Sequence, residues 1–296
     1  MSDLLDPRLV TQLSRHRLTP RQRVRGRFQG AHRSTRLGAS VEFADVREYV
    51  AGDDPRRVDL AASRRHGRLQ VLLTEAEDDA ASQLVLDRSA SMHGGKAGMA
   101  ARLAAGLAVL GARDGVRVWT VERTPDGDRL GGGWARGSAA LAIVGSLLGV
   151  GSGAGDAAAD TPGRPDVAAA VRRAVRSGTR GPLVVISDLL FDGWEAAVLA
   201  LGERRRDAIV LQVLARDELE PAIADDVRLV DVETGDAVDV GPQERVRERY
   251  AAALAAHLDA VATTCAQVGA SHLVVAEDAD VARVLLGDLA GLGHVR

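Results

Sequence analysis

The chain has 296 residues, roughly twice the ~150 of a typical domain, which allows one large α/β domain or one domain with an extension. Hydrophobic residues make up 46% and charged residues 27%, which excludes an intrinsically disordered protein. The net charge of −3 does not indicate any particular class of partner. The single cysteine, Cys265, excludes an internal disulfide and a cysteine-based metal framework.

The same features predict a cytoplasmic protein without a membrane span. One cysteine fits a reducing compartment. The start of the chain lacks the basic and apolar regions of a signal peptide. The longest apolar run, 139–150, is shorter than the ~20 residues of a transmembrane helix.

The first part of the chain is strongly basic. Nine Arg and no acidic residue lie in a stripe from Arg8 to Arg36. One interpretation is a phosphate-binding surface, and hence a nucleic-acid-binding protein. We favour a basic arm that lies on the acidic body of its own chain or faces water, because the stripe has few aromatic residues for base stacking.

Beyond residue 78, short apolar runs alternate with stretches of helical length. Predicted strands are 83–87, 116–121, 183–186, 209–214 and 272–275, and predicted helices are 96–112, 194–206, 243–268 and 279–289. This alternation predicts an α/β fold with a doubly wound, mostly parallel sheet that is covered on both faces. Residues 227–240 predict a hairpin insertion with its turn at Thr234-Gly235-Asp236, and 149–163 predict a mobile loop.

Two predicted strands end in acidic segments, at Asp87 and at Asp188. In such sheets, ligands bind outside the carboxyl ends of the strands. The pattern Asp87-x-Ser89-x-Ser91 places a carboxylate and two hydroxyls on one turn, and Asp188 adds a second carboxylate. Hard oxygens of this kind suit Mg²⁺, so these residues predict a metal-ion-dependent adhesion site, with one position left for a partner's carboxylate.

Other interpretations of this turn were weighed. A Walker A loop would need Gly in place of Ala90 and a hydroxyl in place of Ala97, and an aspartyl phosphatase would need a carboxylate in place of Ser89. The structural alternative is that Ser89 or Ser91 caps the following helix, while Asp87 gains from the helix dipole. Local spacing leaves the adhesion site and the helix cap equally open. Since no catalytic set is complete, we predict a protein that is not an enzyme.

Longer stretches carry a resemblance to a known family. They are 30–38 (GAHRSTRLG), 42–59 (EFADVREYVAGDDPRRVD) and 86–92 (LDRSASM). Together with 232–235 (VETG) and the final helix–strand–helix, they resemble the domain-of-unknown-function 58 family along nearly the whole chain. The resemblance implies a von Willebrand factor A-like domain over 79–296, preceded over 1–78 by a basic segment that packs on it.

The resemblance also implies an association with MoxR-type AAA+ ATPases in systems that mature other proteins. Relatives carry a Gly-Thr-Asp turn near the metal. The matching stretch here has Pro165, which offers no side-chain oxygen, so we expect a weakened Mg²⁺ site, with Arg164 placing a positive charge near it.

We therefore predict a non-enzymatic interaction module that partners a MoxR-type ATPase, or another protein with an exposed acidic side chain. It engages that side chain at a degenerate adhesion site of Asp87, Ser89, Ser91 and Asp188. The alternatives are a nucleic-acid-binding protein that uses the stripe from Arg8 to Arg36, and a structural scaffold with a decayed metal site.

Overall fold

A computed structural model describes residues 4–20, 46–49, 58–72, 81–148, 163–177, 179, 181–204, 207–221, 227–240 and 244–296. Its N-terminal elements are helix α1 (Pro7–Leu13), strand β1 (Val46–Glu48), strand β2 (Val58–Asp59), helix α2 (Leu60–His66) and strand β3 (Gln70–Leu72). The three strands form a small antiparallel sheet in the order β1-β3-β2.

The first described segment packs on the body of the molecule. Leu13 and Leu18 are buried in its core, and the backbone of Leu18 bridges to Val295 near the C-terminus. Arg17 forms an ion pair with Asp114 at 2.6 Å. At Arg17, therefore, the basic stripe contacts an acidic side chain of its own chain, whereas 21–45 fall outside the described residues.

A six-stranded sheet forms the centre of the structure. Its strands are β4 (Ser82–Asp87), β5 (Val116–Thr124), β6 (Gly127–Ala135), β7 (Leu183–Ser187), β8 (Ala208–Leu214) and β11 (Ser271–Ala276). They lie in the order β11-β8-β7-β4-β5-β6, and every pair is parallel except β5 with β6. The prediction of a mostly parallel sheet is therefore confirmed.

Helices cover both faces of this sheet. They are α3 (Gly95–Gly111), α4 (Ala139–Leu147), α5 (Val167–Arg176), α6 (Trp194–Ala200), α7 (Arg216–Leu219) and α8 (Glu244–Val268), followed by a π-helical segment, Arg283–Asp288, that continues into α9 (Leu289–Gly291). On β4, Leu84 and Leu86 pack into one core cluster with α3, and Val85 packs into the other with α5. Because both faces are buried, the centre of the strand, Leu84 to Leu86, is a continuous apolar run.

Strand order locates the ligand-binding edge of the sheet. The chain leaves β4 toward β5 and leaves β7 toward β8, although β4 and β7 are neighbours. The order therefore reverses between these two strands, and their carboxyl ends form the crevice where such sheets bind ligands. Asp87 and Asp188 lie at this point.

Several element predictions are confirmed, whereas strand β6 and helices α4 and α5 of the body, and the three short N-terminal strands, were not predicted. The hairpin exists as β9 (Val227–Val230) and β10 (Ala237–Val240), with Gly235 in the turn at φ +78°. The predicted helix from residue 194 ends at Ala200 and continues as a 3₁₀ turn, Leu201–Arg204. Strand β6 escaped prediction because its glycines lower strand propensity. At Gly133 the strand packs closely against the Ile143 side chain, which would have to shift to admit a Cβ.

Two predictions concern membranes and the loop before α5. No helix among the described residues combines the length and the apolar composition that crossing a bilayer requires. The predicted mobile loop at 149–163 lies outside the described residues except for Gly163.

Candidate functional site

The structure brings Asp87 and Asp188 together at the reversal of strand order. Asp87 ends β4 and Asp188 directly follows β7, and their exposed fractions are 3% and 0%. Oδ1 of Asp87 accepts from the Ser89 N–H at 2.9 Å, and Oδ2 accepts from the Ser187 hydroxyl at 2.6 Å. Burial, and then the nearby charge of Asp188, raise the pKa of Asp87 to about 6.

The two predicted serines lie on the turn that follows β4. Their hydroxyl oxygens are 3.1 Å apart, and the turn is a 3₁₀ helix, Ala90–Met92. Helix α3 begins after Gly94, which holds the N-cap position. The alternative in which Ser89 or Ser91 caps this helix is therefore wrong, because the turn separates both hydroxyls from its first N–H groups.

Lys96 is a charged partner of the site that the sequence did not reveal. It is 4% exposed, and its Nζ lies 3.0 Å from Oδ2 of Asp188 and 2.5 Å from Oε1 of Glu218 on α7. Burial alone would lower the pKa of Lys96, but the carboxylates of Asp188 and Glu218 outweigh it and raise that pKa. The available signal was that Lys96 is the single lysine of the chain, at the start of the helix after the motif.

A second cation and a third carboxylate meet at Ser91. Arg164 Nη2 donates to the Ser91 hydroxyl oxygen at 3.0 Å, and Nη1 donates to the Leu190 carbonyl oxygen at 3.0 Å. Oε1 of Glu233 accepts from the Ser91 N–H at 2.9 Å and lies 3.4 Å from Arg164 Nη2. Arg164 thus places the expected positive charge beside the motif. Glu233, from the loop between β9 and β10, adds a carboxylate that binds the Ser91 N–H.

Backbone strain marks the same edge of the sheet. Leu189, directly after Asp188, has φ +53°, although it is a fully buried non-glycine residue. Residues in this region of φ are held there by their surroundings and concentrate at functional sites. The holding contacts are the Ser187 hydroxyl, which accepts from the Leu189 N–H at 3.1 Å, and Gln212 Nε2, which donates to the Asp188 carbonyl oxygen at 2.8 Å.

A groove of about 380 Å³ opens beside Arg164. Phe191, Trp194 and His257 are among its lining residues, and the Arg164 guanidinium lies 5.1 Å from the centroid of the Phe191 ring. Since the side chain of Arg164 is 22% exposed, the groove gives a partner access to this cation.

The oxygens of this site do not fit a resident Mg²⁺ ion in the arrangement observed. Oδ2 of Asp188 is bound to the Lys96 ammonium group, the Ser91 hydroxyl to the Arg164 guanidinium, and both oxygens of Asp87 to N–H or O–H donors. Mg²⁺ needs several oxygens free to approach within about 2.1 Å, and fixed cations repel it. No cluster of three or more His, Cys, Asp or Glu side chains within the described ranges could hold a metal. The Mg²⁺ site stays a prediction that these contacts do not favour.

Comparisons with known proteins place the chain among its relatives. The family model described as "Protein of unknown function DUF58" matches residues 45–260. Uncharacterized proteins of Mycobacterium tuberculosis and Mycobacterium bovis are each 31% identical over 288 residues, which cover 94% of this chain and 88% of theirs.

Two solved structures are similar to part of the chain. They are a conserved hypothetical protein, BatB, from Bacteroides thetaiotaomicron (TM-score 0.44, 13% identity) and an aerotolerance-related membrane protein from Bacteroides fragilis (TM-score 0.42, 14% identity). Each match covers 72% of this chain and 98% of the other. Because the family model spans most of the sequence and the mycobacterial relatives match almost all of it, the chain belongs to the DUF58 family.

Proposed function

We propose that this chain is a non-enzymatic protein-interaction module with a von Willebrand factor A-like domain, and that it binds an acidic side chain of a partner at the edge formed by Asp87, Ser89, Ser91 and Asp188. One observation carries the proposal. The Arg164 guanidinium is bonded to the Ser91 hydroxyl and is partly exposed in the adjoining groove. A planar guanidinium held in this way suits a carboxylate.

The position of the site supports a von Willebrand factor A-like assignment. Counted along the chain, the six central strands have the order 3-2-1-4-5-6, with the third antiparallel at one edge. The motif follows the first of them, at the reversal of strand order. The Mg²⁺ ion of the predicted adhesion site is not part of the proposed contact, because Lys96 and Arg164 already supply positive charge there.

The contacts of the site support binding rather than catalysis. Ser89 and Ser91 would need a base to act as nucleophiles. The nearest candidate, His93, bonds through Nδ1 to the Ala90 carbonyl oxygen at 2.6 Å. Asp87 is held by two donors and Asp188 by Lys96, so each carboxylate has a structural partner.

As the partner we propose a MoxR-type AAA+ ATPase, on the strength of the family resemblance, or another protein with an exposed acidic side chain. We place this interaction in the cytoplasm, because Cys265 is a lone, buried thiol. The arginine stripe does not by itself favour the binding of nucleic acid, because Arg17 of the stripe is already paired with Asp114.

Capture of a MoxR-type ATPase encoded nearby tests this proposal. The tagged wild-type chain is mixed with that ATPase, and the bound fraction is compared with that of Arg164→Gln and of Arg216→Gln. Arg216 is a matched control because it forms an exposed ion pair with Asp278, 3.2 Å apart, and does not line the groove beside Arg164. We expect Arg164→Gln to lose at least tenfold in affinity and Arg216→Gln to bind normally. Absence of capture by the wild type, or equal capture by both variants, contradicts the proposal.

A further inference from the structure

We infer that Glu233 is a built-in ligand of this site: its carboxylate occupies, without a metal, the place that a partner's carboxylate takes, so the β9–β10 hairpin must withdraw before the partner binds. The inference rests on the proposed function for the identity of the partner group. The existence of a carboxylate-binding site, in contrast, is inferred from the contacts of Glu233 alone.

The contacts of Glu233 are those of a bound acidic ligand. Oε1 accepts from the Ser91 backbone N–H at 2.9 Å and faces Arg164 Nη2 at 3.4 Å. A backbone donor and a guanidinium together form a charge-assisted carboxylate site. Glu233 comes from a hairpin 142 residues further along the chain than Ser91, so the contact is made by an inserted segment and not by the local turn.

The fit is incomplete, which distinguishes a replaceable ligand from a structural ion pair. Glu233 is 4% exposed, yet its Oε2 has no hydrogen-bond partner among the described residues. Arg164 Nε is likewise buried and unpartnered within that part of the chain. A buried carboxylate oxygen and a buried guanidinium N–H without partners are costly, so the site is built for a carboxylate that Glu233 fills only in part.

The hairpin is attached to the body mainly through this residue. Between the hairpin and the rest of the described chain, the hydrogen bonds end at Glu233: its carboxylate contacts, and its carbonyl oxygen, which accepts from the Gly163 N–H at 2.9 Å. Val230, Val232 and Val238 of the hairpin are 55–63% exposed and add little packing. Release of the carboxylate therefore uncovers Ser91 and Arg164 and leaves the Gly163 bond as the remaining hydrogen bond between the hairpin and the rest of the described chain.

Rescue by acetate tests the inference without a partner. Glu233→Ala leaves the Ser91 N–H and Arg164 without their carboxylate, and acetate is small enough to replace it. The melting temperature is measured in sodium acetate and in sodium chloride of equal ionic strength. We expect acetate to raise the melting temperature of Glu233→Ala by a few degrees relative to chloride. We expect no acetate effect on the wild type or on the neighbouring control Val232→Ala.

Further arms keep the test decisive. Glu233→Ser also vacates the carboxylate position and replaces Glu233→Ala if that variant does not fold. No acetate effect on either Glu233 variant, or an equal effect on Val232→Ala, overturns the inference. Stabilisation of Glu233→Ala by MgCl₂ in place of acetate also overturns it, because a metal site would then lie beneath the hairpin.

The outcome is separable from that of the proposed function. If the wild type captures the ATPase and acetate has no effect, the built-in ligand is wrong and the interaction stands. If acetate rescues Glu233→Ala and neither this variant nor the wild type captures the ATPase, the carboxylate site stands and the partner is wrong. If both hold, Glu233→Ala should capture the ATPase at least tenfold more tightly than the wild type, because no internal carboxylate competes.

Discussion

Substitution of Lys96 by Met should destabilise the protein strongly. The ammonium group is 4% exposed and pairs at 3.0 Å with Asp188, which is fully buried. Removing one partner of a buried ion pair costs about 3–5 kcal/mol, because it leaves an uncompensated charge. At ~2–4 °C per kcal/mol for a domain of this size, the melting temperature should fall by about 6–20 °C. The penalty is reinforced by Asp87, whose pKa the charge of Asp188 already raises.

Urea and thermal unfolding of matched variants measure this cost. Arg216→Met is the control, since its pair with Asp278 is more than half exposed on both sides and is worth at most about 1 kcal/mol. The double variant Lys96→Met/Asp188→Asn should recover part of the loss, because it removes the charge left behind. If Lys96→Met unfolds within about 1 kcal/mol of the wild type, Lys96 does not neutralise the site as described.

Three further outcomes are expected. The pKa of Asp87 is about 6 in the folded protein against an ordinary value of 3.8, so the folded state binds this proton more tightly than the unfolded state. The stabilisation from the bound proton is complete below pH 3.8 and is lost as the pH rises through 6. Asp87→Asn should remove this contribution to the slope of the unfolding free energy against pH. As the single lysine is buried, an amine-reactive reagent should leave Lys96 unmodified in the native protein and modify it in urea, as located by peptide mass spectrometry. Since Lys96 and Arg164 bind the oxygens of the site, the melting temperature should not respond to Mg²⁺ or EDTA; a Mg²⁺ response that Asp87→Ala abolishes would restore the predicted metal site.

The sequence predicted the parts of the site that local patterns encode. Fully apolar runs that end in Asp87 and Asp188 predict buried parallel strands, and parallel strands bring their carboxyl ends to one edge. Pro165 in place of the expected Thr correctly directed attention to Arg164, which does contact Ser91.

The remaining partners could not be predicted, because they meet only through the fold. Glu218 and Glu233 lie 122 and 142 residues along the chain from the groups that they bind, and no periodicity relates such positions. Lys96 was considered only as part of an incomplete phosphate loop. Its pairing depends on the start of α3 lying close to Asp188 at the end of β7, a consequence of strand order that the order of elements along the chain does not determine.

The charges at this edge explain why a side-chain cation can replace a metal there. Two neighbouring buried carboxylates are unstable unless positive charge lies close to them. A divalent ion supplies that charge only when enough oxygens surround it, and Pro165 offers no side-chain oxygen. Lys96 supplies a fixed positive charge to Asp188 from within the fold and, unlike a metal ion, needs no set of coordinating oxygens. In the proposed interaction, Arg164 carries the outward-facing charge that an acidic ligand binds, and Glu233 neutralises that charge until such a ligand competes.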